Sequence, residues 1–424
     1  MLFRGIGQGN GQGNGQGNGR GNGQGNPPAN SWFQKKTVDP FSKQGITDTL
    51  KNHFAGRNTV HFKRIVGQGK FGVTALLEDT RQNPPKRFII KRALGAGALA
   101  DLRKEIGALR NFRGSAHIIQ MVDYRDQNNL EDNRTSSPLG GLAGPSIVTE
   151  FLENGSLWDL LLRVTQAQVQ VPNRVLWFIM LCLIRACVGL AWPPRGVQGQ
   201  ATELEKVPPG RAPVPWAHND MHLNNIMIGS LQADVIEHSL VPPFKLIDFG
   251  MAATTDRRLQ PPDTQNANIY QGHASNVRKA AEVGGILSPP LSESDVLLTG
   301  VSVLPGQAVM RLISGYLGAE PTNPPVDMTG IRTHAVHLWG PAAGQFPWLD
   351  RTLRRLIGRM MSAQYKISNQ KDRPQLEDIL ATATWAVFGR NARDYPGQEQ
   401  YESNASIRTF VQRMILDANR QVVF

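Results

Sequence analysis

The hydrophobic pattern of this chain changes period several times, and each change predicts an element. Apolar and polar residues alternate through His61-Phe62-Lys63-Arg64-Ile65-Val66, the period of a half-buried strand. The Gly-rich stretch Gly67-Gln68-Gly69-Lys70-Phe71-Gly72-Val73 follows and predicts a turn joining it to a second strand. Arg87-Phe88-Ile89-Ile90-Lys91 reads as a further strand, and Leu99 to Phe112 as a helix. The strongest apolar run is the ten residues Val175 to Ile184, continued beyond Arg185 by Ala186 to Trp192. It falls short of the roughly 20 residues of a membrane helix, and Arg185 interrupts it, so a long buried helix is expected. Ile407, Phe410, Val411, Met414 and Ile415 recur at helical spacing and predict a helix docked by one face.

Other stretches carry no such period. Gly5 to Asn26 is a near-perfect Gly-Gln-Gly-Asn repeat ending in Pro27-Pro28, with Arg20 its only charge. A segment with nothing to bury stays disordered, so residues 1–45 are expected to form a tail that acts as a spacer. Residues 29–58 form a transition in which Trp32, Phe33 and Phe41 can pack back on the body that follows. Pro193 to Pro215 and Gly229 to Pro243 are expected to be surface excursions, because the backbone of a long loop needs water. Met1-Leu2-Phe3-Arg4-Gly5 runs straight into glycine, without the apolar core of a signal peptide.

Composition narrows the class. With 424 residues and 40% hydrophobic content, the chain can bury a sizeable core. Its 46 basic and 34 acidic residues give a net charge of +12, but the basic residues are scattered. That distribution suits a solvated surface better than a nucleic-acid or lipid footprint, and no nucleic-acid-reading motif is visible. Cys182 and Cys187 are the only cysteines, five apart in one apolar stretch and so on different helix faces. They read as small buried thiols of a reducing compartment, with no metal site. An intracellular protein, cytoplasmic or nuclear, without a membrane span is expected.

The candidate chemistry lies in two stretches, His218-Asn219-Asp220-Met221-His222-Leu223-Asn224-Asn225-Ile226 and Lys245-Leu246-Ile247-Asp248-Phe249-Gly250. Phosphoryl transfer needs a base to orient the attacking hydroxyl and oxygen ligands to hold magnesium against the phosphates. Asp220 can be that base, while Asn225 and Asp248 offer one neutral and one charged oxygen to a hard cation. Upstream, Gly67, Gly69 and Gly72 can let the backbone close over phosphates, and Lys91 can reach them. Glu105, in the helical stretch, can pair with Lys91. Each feature alone arises by chance; their common order does not.

In that order the motifs resemble those of the eukaryotic protein-kinase superfamily, over residues 59 to 385. Ile147 to Leu157 looks like the kinase hinge, with Thr149 at the gatekeeper position. Ser294-Asp295-Val296 before Thr299-Gly300-Val301 is similar to the buried-Asp helix, and Asp372-Arg373-Pro374 to the closing Arg-Pro motif. Ala280-Ala281-Glu282 stands where Ala-Pro-Glu belongs, which makes Glu282 the candidate partner of Arg373. The resemblance implies an α+β bilobal fold: an antiparallel β N-lobe over 59–150 with five strands and one helix, a mainly helical C-lobe over 151–390, and a helical tail over 391–424. It implies ATP, with Mg2+ or Mn2+, and a protein substrate. Asp220 would deprotonate the acceptor hydroxyl, and Asn225 and Asp248 would hold the metal. Lys91, braced by Glu105, would grip the α- and β-phosphates. Val73, Met227 and the backbone from Glu150 to Leu152 would hold adenine.

The departures from the family pattern keep other readings open. Asn219 stands where Arg usually precedes the catalytic Asp, so phosphorylation within 251–279, at Thr254, Thr255, Thr264 or Ser275, is not expected to be required. Ile89 replaces a usual Ala and narrows the adenine position. His222 replaces a Lys that helps neutralise the transferred group, although it can donate a hydrogen bond or, protonated, a charge. His-x-Asp-x-His is also similar to the aminoglycoside- and choline-kinase-like enzymes, whose acceptors are small molecules. Protein Ser/Thr-type kinase is the leading reading. A nucleotide-binding pseudokinase scaffold and a small-molecule kinase are the alternatives.

Overall fold

Strand alternation dictates the first layer. Strands β1 (Val60–Gln68), β2 (Gly72–Asp79), β3 (Lys86–Ala93), β4 (Met121–Arg125) and β5 (Ser146–Glu150) form one antiparallel sheet in the order β1-β2-β3-β5-β4. The computed structural model describes residues 39, 42–69, 72–126, 139–142, 144–197, 199–214, 216–218, 220–254, 305–315, 326–333, 335–339, 344–362 and 374–418. All belong to the unit Asp39–Phe424. Outside them lie the Gly/Gln/Asn repeat, Trp32, Phe33, Phe41, Asn219, Thr255, Thr264, Ser275, Glu282, Asp295 and Arg373.

Val73, Ala75 and Leu77 of β2, Ile90 of β3 and Val148 of β5 point to one face, where helix α1 (Lys43–Ala55) covers them with Ile46, Leu50 and Phe54. The Ser42 hydroxyl caps α1 by accepting from the Gly45 N–H at 3.0 Å. Residues 42–45 therefore begin a helix, which corrects the tail expected to run to residue 45. Three apolar residues spaced four apart among polar ones make a weak stripe, and only the sheet beneath gives it a reason to fold. Helix α2 (Gly95–Asn111) covers the other face with Leu102, Ile106 and Leu109.

The second layer is helical, built on α3 (Leu157–Gln166) and α4 (Asn173–Ala191). A capping box of Ser156 and Asp159 starts α3. By length and composition α4 could cross a membrane, but 94% of its most apolar window is buried inside the fold. Arg185, within it, forms a bidentate pair with the fully buried Glu237 at 2.7 and 2.8 Å, and donates to the Glu205 carbonyl at 2.7 Å. Glu205 and Glu237 come from the two stretches expected to be surface excursions. Each instead returns an acid to the interior, Glu237 to the Arg185 guanidinium and Glu205 to buried His117, whose N–H and Nδ1 both lie 2.8 Å from its carboxylate.

The N-terminus of α4 has no cap of its own, since Pro172 offers no side-chain acceptor. Buried Glu402 supplies it: one carboxylate oxygen accepts from the Asn173 N–H at 2.7 Å and the other from the Arg174 N–H at 2.9 Å. These are donors that a helix start leaves without partners, and a carboxylate also suits the positive end of the dipole. Ile407, Phe410, Val411, Met414 and Ile415 are buried in the same core as α4.

Candidate functional site

The period of β3 aims Lys91 away from Ile90 and toward α2. There its Nζ lies 2.8 Å from Glu105 Oε2 and 2.8 Å from Asp248 Oδ1. Burial works against the ammonium, but the two carboxylates outweigh it and raise the Lys91 pKa well above the usual range. Lys91 is therefore a fixed cation at neutral pH. Burial raises the Glu105 carboxyl, with Lys91 working against that.

Two short strands bring the other candidates together. Strands β6 (Trp216–Ala217), β7 (Ile226–Ile228), β8 (Phe244–Leu246) and β9 (Ala253–Thr254) form two antiparallel ribbons, β6 with β9 and β7 with β8. Asn225 immediately precedes β7 and Asp248 follows β8, so antiparallel pairing sets them at the same end. The Ile247 N–H donates to the Asn225 carbonyl at 2.9 Å and fixes that register.

Asp248 has φ of +61°, a strained conformation for a residue with a side chain. Its neighbour anchors it: Phe249 is fully buried, with ring centroids 5.1 Å from Phe112 and 4.7 Å from His218. His218 also ties the two stretches together. Its Nε2–H donates to the Ile247 carbonyl at 2.9 Å, and its Nδ1 accepts from the Asp220 N–H at 3.2 Å, so one tautomer serves both. Sequence reading gave His218 no role; its signal was its place two residues before Asp220.

The Asn225 side-chain amide donates to the Asp220 carbonyl at 2.8 Å and to Asp220 Oδ2 at 3.0 Å. This fixes the amide so that its oxygen points elsewhere. His222 Nε2 stands 3.6 Å from Asp220 Oδ1. Partial burial would raise the Asp220 pKa, but His222, His218 and Asn225 outweigh it and hold the carboxyl below its ordinary value. Asp220 is thus a carboxylate throughout the neutral range.

The glycine stretch turns between β1 and β2, where the Gly69 N–H donates to the Gly72 carbonyl at 3.0 Å. A Cβ on Gly72 would come 2.4 Å from the Arg92 carbonyl oxygen, so only glycine fits there. A Cβ on Gly67 would touch only Thr74, and one on Gly69 would meet nothing within 4 Å, which leaves room over the turn.

The expected adenine contacts need one correction. Val73 lies with Ile90 in the cluster under α1, on the opposite face from Lys91. A one-residue offset on a strand changes the face. Thr74, paired with Lys91, and Leu76, paired with Ile89, are the β2 residues on the Lys91 side. Thr149, paired with Ile89 across β3 and β5, shares that face. Met227 is half-buried and bridges to Ser156, and Leu152 is buried. The Glu150 carboxylate is taken by Lys245 at 2.8 Å and by the Gln120 N–H at 2.9 Å, and its own N–H donates to the Gln120 carbonyl at 3.1 Å.

The chain matches no family model and no curated protein. The site is therefore read from its own chemistry. It holds one fixed cation, one ionised carboxylate free of strong pairing, and an amide oxygen and a carboxylate oxygen at one end of a ribbon. Hard oxygen donors of this kind fit Mg2+ or Mn2+, since the Asn225 amide group is turned through its nitrogen and Lys91 engages only one oxygen of Asp248.

Proposed function

We propose that this chain is an ATP-dependent phosphotransferase of bilobal kinase type, acting on a Ser/Thr-type hydroxyl of a protein. The observation that carries the reading is the sharing of Lys91 between Glu105 and Asp248, which joins the sheet, α2 and the β8 end in one charged site. In this reading the sheet with α1 and α2 is the small lobe and the helices around α4 are the large one. Lys91 holds the α- and β-phosphates, and the glycine turn covers them. Asn225 and Asp248 would hold the divalent cation, whose charge offsets that of the phosphates when bound. The acceptor oxygen bonds to the γ-phosphorus as the bond to the β-phosphate oxygen breaks. Its proton goes to Asp220, and ADP leaves. Thr74, Ile89 and Met227 flank adenine, and the backbone of Glu150 and Leu152 faces its edge.

A specific observation favours a second reading, nucleotide binding without transfer. His222 stands 3.6 Å from the Asp220 carboxylate, where the related enzymes carry a Lys for the transferred group. The test is incubation with γ-labelled ATP and Mg2+ or Mn2+, with and without a generic protein acceptor. Label on protein supports transfer to protein, and label on small molecules alone supports a small acceptor. Nucleotide binding without transfer supports a scaffold. In a thermal-shift titration Mg-ATP should stabilise the wild type and leave Asp248→Asn almost unmoved; equal stabilisation of both rejects the metal role of Asp248.

A further inference from the structure

Beneath α4 lies a buried polar cluster that phosphoryl transfer leaves unused. His117 precedes β4, Cys182 projects from α4, and His238 ends the second excursion; all three are buried. One ligand atom from each lies within 4.8 Å of the others. His117 Nε2 and both ring nitrogens of His238 lack a hydrogen-bond partner of sound geometry. An imidazole nitrogen sealed from water without a partner is costly, and histidines are common metal ligands. Burial pushes up the pKa of Cys187, the other thiol, and it lies outside the cluster.

We propose that this cluster is a structural site for a divalent cation of the zinc class, held by His117 Nε2, Cys182 Sγ and a His238 nitrogen. Glu237 Oε1 is 3.7 Å from His117 Nε2. Ligand bonds of about 2.0–2.3 Å place tetrahedral ligand atoms about 3.3–3.8 Å apart, so closing the cluster takes movements of about 1 Å. The outer groups fit as well. His117 Nδ1 lies 2.8 Å from Glu205 Oε2, the carboxylate–histidine arrangement that fixes a ligating ring with its other nitrogen inward. The Val241 backbone lies by His238 and can hold that ring in the same way.

A dication and Arg185 balance the charges of Glu205, Glu237 and a Cys182 thiolate. Without a metal, His238 has only the Val241 backbone beside its ring, and His117 Nε2 has only Glu237 at 3.7 Å. Sealing from solvent marks a structural site rather than a catalytic one, which keeps a position open to substrate. The ion would pin both excursions to α4, since Glu205 belongs to the first and Glu237 and His238 to the second. A cleft of about 500 Å³ is lined by Arg185 and Glu205, the two residues that flank the cluster. None of this depends on the phosphotransferase reading.

The test is metal analysis of the full chain purified without chelator, followed by exchange with Co2+. One zinc per chain is expected, and the cobalt form should show a thiolate-to-cobalt charge-transfer band. Cys182→Ser should abolish the band and Cys187→Ser should keep it. Glu205→Gln should weaken binding about tenfold while preserving the band. Folded wild type that carries less than about a tenth of an equivalent of zinc and takes up no Co2+ overturns the proposal. So does a band that survives Cys182→Ser or disappears in Cys187→Ser. If Cys182→Ser fails to fold, the wild-type stoichiometry and the Cys187→Ser spectrum decide the question.

Discussion

Lys91 carries the most consequence of any single residue. Removing its charge strands Glu105, which is buried, and takes away the ion pair with Asp248. Lys91→Met is therefore expected to cost about 3 kcal/mol of stability, in the range for breaking a buried pair, and to abolish stabilisation by Mg-ATP. Thermal melts with and without nucleotide check both, and an unchanged midpoint would reject the buried pairing. Asp220 gives a prediction in pH. Its folded pKa lies below the unfolded value, so the stability from its contacts is complete above about pH 4 and fades as pH falls through the folded value. The melting difference between wild type and Asp220→Asn should stay flat from pH 8 to 5 and shrink below about pH 4; a difference that widened on acidification would contradict the assignment. At this scale the pairing of Lys91 with Glu105 was legible, because a cation on a strand that faces a helix needs an acid there. Val73 was misassigned because a motif read as a string hides the strand period that separates it from Thr74.

Within elements, α4 holds the sharpest contrast, an arginine in a helix otherwise almost wholly apolar. Arg185→Leu removes the bidentate partner of buried Glu237, leaving it only His117 at 3.7 Å, and is expected to cost about 3–5 kcal/mol. Adding Glu237→Gln, which removes the stranded charge, should recover a large part of that loss in urea titrations. No recovery would mean that Arg185 acts through packing or the Glu205 carbonyl instead. The helix itself was legible from its unbroken apolar run. Its partners were not, because Glu205 and Glu237 sit in Pro- and Gly-rich stretches whose composition describes exposed loops. Only the need to partner Arg185 and His117 reveals where those loops go, and that need arises from tertiary burial. Helix α1 escaped for a related reason: Ile46, Leu50 and Phe54 acquire meaning only above the sheet.

For the whole molecule, the sheet separates two cores of unequal size. Eleven buried residues lie on the α1 side, while the other face merges into the large core around α4. A small core opens at lower free energy than a large one. Hydrogen exchange is thus expected to be faster in α1 than in α4, with Mg-ATP slowing β3 and the Asp248 region but not α1. Exchange in α1 as slow as in α4 would show that the two cores open together. The α+β class came from the resemblance carried by the ordered motifs, while the periods of single segments marked individual strands and helices. The sheet order was not, because it depends on pairings such as β3 with β5 that no local pattern announces.

The Glu402 cap on α4 has a consequence for how the protein is made. Asn173 and its capping carboxylate are 229 positions apart. At typical translation speeds of about 5–20 residues per second, the helix waits about 10 to 50 seconds for its cap to be synthesised. Throughout that interval the most apolar segment of the chain has left the ribosome with its first amides unsatisfied and much of its core unmade. The yield of folded protein is therefore expected to rise with chaperone supply and to respond to pauses in synthesis after α4, which expression with and without added chaperone checks.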